Sequence, residues 1–212
     1  MKVNIEKHHL GGVPPRLFIT MGSLFLVVVI FAFALISFGP PITILGSVGG
    51  LPIHPLVVHA TVVSVVAAAI GTIALAVRPE WRHKYGYLLI WILVIMVVST
   101  WIAVESGNIL TALPGLGSSA HADGGRLLMA MVIPFSMLSS AMVIIDRFVM
   151  VKTNQFGDLY RRRIKRNGKP RVYHHYILKA VIVLAVIAAV LVLGQVFIVG
   201  HSGAAASWGG LF

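Results

Sequence analysis

Five times along this chain apolar residues continue almost unbroken for about 20 positions, the length a helix needs to cross the hydrocarbon core of a bilayer. The runs are Leu17 to Phe38, about Pro55 to Val77, about Tyr85 to Val104, about Leu127 to Ile145 and about Tyr176 to Val199. Each is too long for a strand, and the residue alternation of a membrane β-barrel is absent. Of the 212 residues 58% are hydrophobic and only 11% charged, which is a membrane composition. The expected fold is therefore all-α, a polytopic transmembrane bundle of five helices. Basic residues precede the first run, as they would in a signal peptide. Its length predicts an uncleaved helix instead, as does "FGPPITILG" standing where a small-x-small cleavage site would be. The chain then divides into residues 1–49, carrying that helix and an outer loop, and residues 50–212, a four-helix domain with a basic cytoplasmic loop at 146–175. No internal repeat is apparent.

Charge sets the orientation. Cytoplasmic segments collect Lys and Arg. Of the 17 basic residues, 16 fall in the N-terminal segment, in "RPEWRHK", in the loop holding "YRRRIKRNGKPR", or at Lys179, which can snorkel to the same side. Only Arg126 falls opposite. The prediction is N-in and C-out. With Glu6, Glu80, Asp146 and Asp158 the inner side carries 16 − 4 = +12, and with Glu105 and Asp123 the outer side carries 1 − 2 = −1. The net charge of +11 thus reads as a topology signal and an attraction to anionic lipid, not as a nucleic-acid footprint.

The nine histidines sort by side. His8, His9, His83, His174 and His175 lie in the basic inner segments, where water and headgroups solvate them. His54, His59, His121 and His201 come from segments far apart in sequence, yet the topology delivers all four to the outer surface. Glu105 and Asp123 join them there. Histidine in a bilayer is costly without a partner or a task, and neutral imidazole ligates haem iron, copper and zinc. Five residues of helix turn a side chain by roughly 140° and move it about 7.5 Å, so His54 and His59 face different ways. Pro55 suits a first helical turn and puts His54 at the headgroup level. His59 lies deeper and is expected to meet His121 across the bundle interior. The blander alternative is that interfacial histidines simply bond carbonyls or water. There is no His-x-x-x-His or Glu-x-x-His spacing.

Other features have ordinary readings. Pro134 is expected to kink the fourth run, with neighbouring helices repairing the lost bond. Ser136, Ser139, Ser140 and Ala141 form a small-residue face for close packing. Met129, Met131, Met137 and Met142 are expected to fill gaps in the core. Trp101 and Tyr85 fit interfacial belts, while Trp91 falls mid-membrane, where it could line a cofactor pocket. The absence of cysteine excludes disulfides, thiolate-held iron–sulfur clusters and covalent c-type haem. "GHSGA" lacks the G-x-S-x-G elbow and its strand-to-helix setting. There is no phosphate-binding glycine motif. Nothing therefore points to an enzyme acting on its own. Glu105 and Asp123 are both superficial, which argues against a proton-coupled transporter.

"IHPLVVHA", "ESGN", "SSAHADGG" and "GHSGAAASWG", in that order, resemble a bacterial membrane family, domain of unknown function 2231, over about residues 50–210. The resemblance implies a small integral protein of the bacterial inner membrane. Some members carry cytochrome c or Rieske modules, which implies membrane redox chemistry. The family's His-Pro…His pair falls on His54, Pro55 and His59, and its later histidine on His121. Its terminal Ser-Gly-Ala falls on Ser202, Gly203 and Ala204, with Trp208 downstream. Ala60 and Thr61 stand where many members have Phe-Pro, and the first run is an addition.

These readings give two expectations from different classes. One is a b-type haem held by His59 and His121 and supporting respiratory electron transfer. His54, His201 and Glu105 would then bond propionates, water or a ligand's outer nitrogen. Copper or zinc at His54, His59, His121, His201 and Glu105 is the variant of this reading. The other is a non-catalytic accessory subunit without a cofactor, packed in lipid against a larger respiratory membrane complex.

Overall fold

The computed structural model describes the backbone of residues 47–48, 51–111, 119–167 and 173–208, and the side chains of 52–110, 120–147 and 176–205. Among these residues a two-residue antiparallel ladder, β1 (Ser47–Val48) with β2 (Leu51–Pro52), leads into four helices. They are α1 (Ile53–Val77), α2 (Pro79–Thr111), α3 (Ser119–Asn167) and α4 (Tyr173–Trp208). Each contains a stretch long and apolar enough to cross a membrane. These are the second to fifth runs of the sequence. The first run, Leu17 to Phe38, lies outside the described residues.

One expected loop is corrected. The segment from about Asp146 to His175 is largely helical, because α3 continues to Asn167 and α4 begins at Tyr173. Loss of hydropathy marks where lipid ends, not where a helix ends. Arg, Lys, Leu and Gln are good helix formers, and Pro170 is the first proline after Pro134.

The joint between α1 and α2 is one residue. Arg78 is extended, with φ −113° and ψ 93°. Pro79 disfavours a helical conformation in the residue before it and suits the first turn of the helix that follows. The chain therefore folds back at once. α1 packs on α2 and α3 on α4, while α2 against α3 and α1 against α4 close the ring. The starts of α1 and α3 thus meet the ends of α2 and α4 at what is called here the histidine end. Arg82 and Asp146 lie at the opposite, arginine end.

The ring closes tightly on α1, whose inner face is mostly small. On α1 the buried residues are Thr61, Ser64, Val65, Ala68, Ala69, Thr72 and Leu75, at the three-and-four spacing of one helical face. Such residues let backbones approach in lipid, where packing rather than water exclusion holds helices together. Phe135, Leu93, Met96 and Met142 fill the centre. Ser64 Oγ lies 3.2 Å from Ser99 Oγ, and Thr72 Oγ1 donates to Ser139 Oγ at 3.1 Å. Links of this kind between membrane helices contribute about 0.6 kcal/mol each. Large apolar side chains such as Leu56, Ile70, Ile95, Leu184 and Phe197 cover the outside. Trp91 and Met137 are among these exposed residues. Trp91 therefore faces away from the bundle interior, and Met137 fills no core gap, whereas Met129 and Met142 do. Pro134 stands within α3 on an exposed position.

Candidate functional site: a histidine pair at one end of the bundle

The side chains that α1 and α3 bring together at the histidine end are His54 and His121. Their ring centres are 6.1 Å apart and their planes nearly perpendicular, at 85°. Both rings are partly buried. His54 Nδ1 lies 3.0 Å from the Ala103 carbonyl and 3.2 Å from Ser106 Oγ, both on α2. His121 Nδ1 lies 3.1 Å from the Val199 carbonyl and 3.4 Å from Ser202 Oγ, both on α4. In each case the serine hydroxyl also donates to that same carbonyl, at 3.1 Å from Ser106 and 2.9 Å from Ser202.

A carbonyl oxygen can only accept, so each Nδ1 must carry the proton that it donates. The neutral ring then has its lone pair on Nε2. This is the arrangement that orients histidine ligands in metal proteins, where the outer nitrogen is tied to a carbonyl or carboxylate. The backbone is shaped to receive the rings. A Cβ added at Gly107 would sit 3.0 Å from His54 Cε1, and one added at Gly203 would sit 2.9 Å from His121 Cε1. Neither glycine can take a side chain without moving its imidazole.

The other sequence candidates lie apart from this pair. His59 is exposed, and its Nδ1 is 2.6 Å from the Pro55 carbonyl of its own helix. The deeper position that suggested an inward His59 is occupied on the other flank of α1, because the small face of Thr61, Ser64 and Val65 is the one that turns in. His54, expected at the headgroup level, is the residue that meets His121. His201 is exposed, and Glu105 is half-buried one position before Ser106. Asp123 and Arg126 form an exposed ion pair at 3.6 Å, of the kind that contributes little. Among the described residues no three His, Asp or Glu side chains converge as a metal-ligating group. Trp101 is half-buried against the core rather than freely interfacial, and its Nε1 is buried without a hydrogen-bond partner.

The arginine end is built differently. Arg82 donates to the Leu75 and Ala76 carbonyls at the end of α1, at 2.9 and 3.2 Å, and its Nε is 3.4 Å from Asp146 Oδ1. Asp146 Oδ2 is 3.5 Å from His83 Nε2, and Arg147 bonds the His83 carbonyl. Arg82 and Asp146 are both buried. Asp146, expected to open a soluble loop, instead ties α3 to the α1–α2 corner, because its carboxylate meets a cation that is already needed to satisfy helix-end carbonyls. Around this corner Trp81, Tyr85 and Tyr87 are exposed, with Arg78 5.8 Å from the Trp81 ring and Lys84 5.1 Å from the Tyr85 ring. Amphipathic rings and basic side chains of this kind fit a membrane–water interface.

Sequence reasoning missed Ser106, Gly107, Ser202 and Gly203 as partners of the histidines. The signal was present as a repeated Ser-Gly dipeptide in "ESGN" and "GHSGA". Residues 50–210 match the family model described as predicted membrane protein (DUF2231). No curated protein and no solved structure matches the chain.

Proposed function

Because the chain belongs to the DUF2231 family of predicted membrane proteins, we propose that it works in the bilayer by holding a metal-centred group, b-type haem first, between His54 and His121. The observation that carries this reading is the matched tie of both Nδ1 atoms to carbonyls of neighbouring helices. Those ties leave two Nε2 lone pairs from opposite sides of one bundle end. The ring centres lie 6.1 Å apart, within reach of a single metal ion at bonds of about 2 Å. The two would serve as imidazole ligands to haem iron, or as half of a zinc ligand set. Haem bound there would supply one-electron chemistry. The chain's own part is to hold two neutral imidazoles in one tautomer and to keep their surroundings apolar.

In this reading the protein sits in the inner membrane of a bacterium, with the histidine end on the outer face, and supports respiratory electron transfer. The test is an optical spectrum with metal analysis on protein purified in mild detergent with haem supplied. A Soret band is expected in wild type and in His59→Ala, and its loss is expected in His54→Ala and in His121→Ala. A wild type without either Soret band or stoichiometric metal sinks the proposal.

A second reading is favoured by α4. Only 28% of its apolar stretch is buried, against 50% for α3. Its outward face, with Val183, Leu184, Ile187, Val190 and Leu191, suits lipid or the helices of a larger membrane complex, to which this chain would be an accessory subunit. Native mass spectrometry that finds only the lone chain after mild extraction counts against that reading.

A further inference from the structure

The two histidine settings are alike in more than kind. The shift along the chain that carries His54 onto His121 also carries α1 onto α3. It takes Thr61, Val65, Ala68, Ala69, Thr72 and Leu75 onto Leu128, Val132, Phe135, Ser136, Ser139 and Met142, and every one of these is buried. A second shift, carrying Ser106 onto Ser202 and Gly107 onto Gly203, superposes α2 on α4. It takes Arg82, Leu89, Leu93, Met96, Ser99 and Thr100 onto Leu178, Ala185, Ala189, Val192, Gln195 and Val196, again all buried. Coinciding faces alone would show only that all four helices line one core. The contacts go further. His54 bonds the carbonyl of Ala103 and the hydroxyl of Ser106, and the same shifts name Val199 and Ser202 as the partners of His121, which they are. The equivalent residues also touch each other. His54 faces His121, and Thr72 bonds Ser139, 67 residues away, the same separation as between the two histidines. Residues that meet their own counterparts lie on a two-fold axis, here running along the bundle. Membrane proteins built from parallel repeats have such an axis along the membrane normal.

We infer that the four helices are two copies of one helical hairpin, and that Ser106–Gly107 and Ser202–Gly203 are matched positioning pairs making His54 and His121 equivalent ligands of one group on the axis between the copies. This rests on the proposed metal-centred reading for the ligand, and on the fold alone for the positioning. Each hairpin supplies one imidazole from the start of its first helix. The end of its second helix supplies the carbonyl that sets the tautomer, the serine that shares the proton and the glycine that makes room for the ring. The equivalence lapses at the arginine end, where Arg82 corresponds to Leu178 and Asp146 to Pro79. One end of the bundle is therefore symmetric and the other is not, and a shared, two-fold-compatible ligand is needed only where the symmetry persists.

Solid-state 15N NMR of histidine-labelled full-length protein in lipid reads the positioning directly, since ring shifts report which nitrogen holds the proton. Two rings protonated at Nδ1 are expected, assigned by their loss in His54→Gln and His121→Gln. Gly107→Ala should move only the first of these signals and Gly203→Ala only the second. Rings protonated at Nε2, or a glycine variant that leaves its own histidine unmoved, overturn the inference. In a parallel titration with haemin, each glycine variant should weaken binding by a similar factor, about 10- to 100-fold, the usual cost of disturbing a ligand's outer tie. Unequal factors overturn the equivalence. Haemin that binds no variant and no wild type overturns the metal-centred reading, and the NMR then decides the positioning by itself.

Discussion

At the scale of single residues, the difference between His54 and His59 is the instructive one. Both open the same helix, and the sequence places them about 140° apart, but which of the two turns inward depends on the neighbours. The face bearing Thr61, Ser64 and Val65 packs on α2, and His54 sits on its continuation. His59 sits off it and satisfies itself on the Pro55 carbonyl. Arg82 and Asp146 make a second residue-scale case. Neither is easily spared alone, since removing one partner of a buried pair strands the other charge at a cost of about 3–5 kcal/mol. Asp146→Ala is expected to lower the melting temperature in detergent sharply. Arg82→Met combined with Asp146→Leu should recover most of the loss, because two apolar residues leave no orphaned charge. A double variant as unstable as the single one would mean that the Arg82 bonds to the Leu75 and Ala76 carbonyls matter more than the ion pair.

At the scale of elements, each helix is defined by which of its apolar faces is spent on its neighbours. Phe135 on α3 is fully buried, and Phe197 on α4 is 77% exposed. Phe135→Ala should therefore destabilise the protein by about 3–5 kcal/mol through the cavity it leaves, whereas Phe197→Ala should change stability by less than about 0.5 kcal/mol. Thermal unfolding in detergent separates the two. Equal effects would mean that α4 is covered on its outer side. The approach of α2 to α3 depends on Gly86, where an added Cβ would come within 2.6 Å of Val143 Cγ1. Gly86→Ala is expected to cost about 1–3 kcal/mol by overpacking. Hydropathy located all four described helices within a few residues of their apolar cores. It stopped short at Asp146, because α3 leaves the apolar zone without ceasing to be a helix.

At the scale of the whole molecule, the N-in, C-out orientation remains an expectation that labelling can test, and the chain has no cysteine to interfere. With single cysteines introduced in intact cells, Asp123→Cys should react with an impermeant maleimide from outside, and Lys84→Cys only after permeabilisation. The reverse pattern would put the histidine pair on the cytoplasmic side. Trp91 offers a check on the bundle itself. It is exposed among apolar neighbours, so lipids brominated in mid-chain should quench its fluorescence strongly. Little quenching of Trp91 would place another helix against α2.

The sequence alone determined that this chain crosses a membrane repeatedly as helices, and it set the expectation of which charges and imidazoles share an end. Those properties follow from length, hydropathy and the cost of charge in lipid, all of which are sums over local residues. Only the tertiary structure decided that His54 rather than His59 meets His121, that Ser106–Gly107 and Ser202–Gly203 hold the rings, and that one hairpin repeats the other. Side chains on a helix acquire partners from its rotation against its neighbours, and a shared burial pattern survives when most of the shared residues have changed, a histidine and a Ser-Gly pair being among the few that have not. A repeat preserved in contacts rather than in letters cannot be read along a chain, because packing constrains size and position on a face far more than identity.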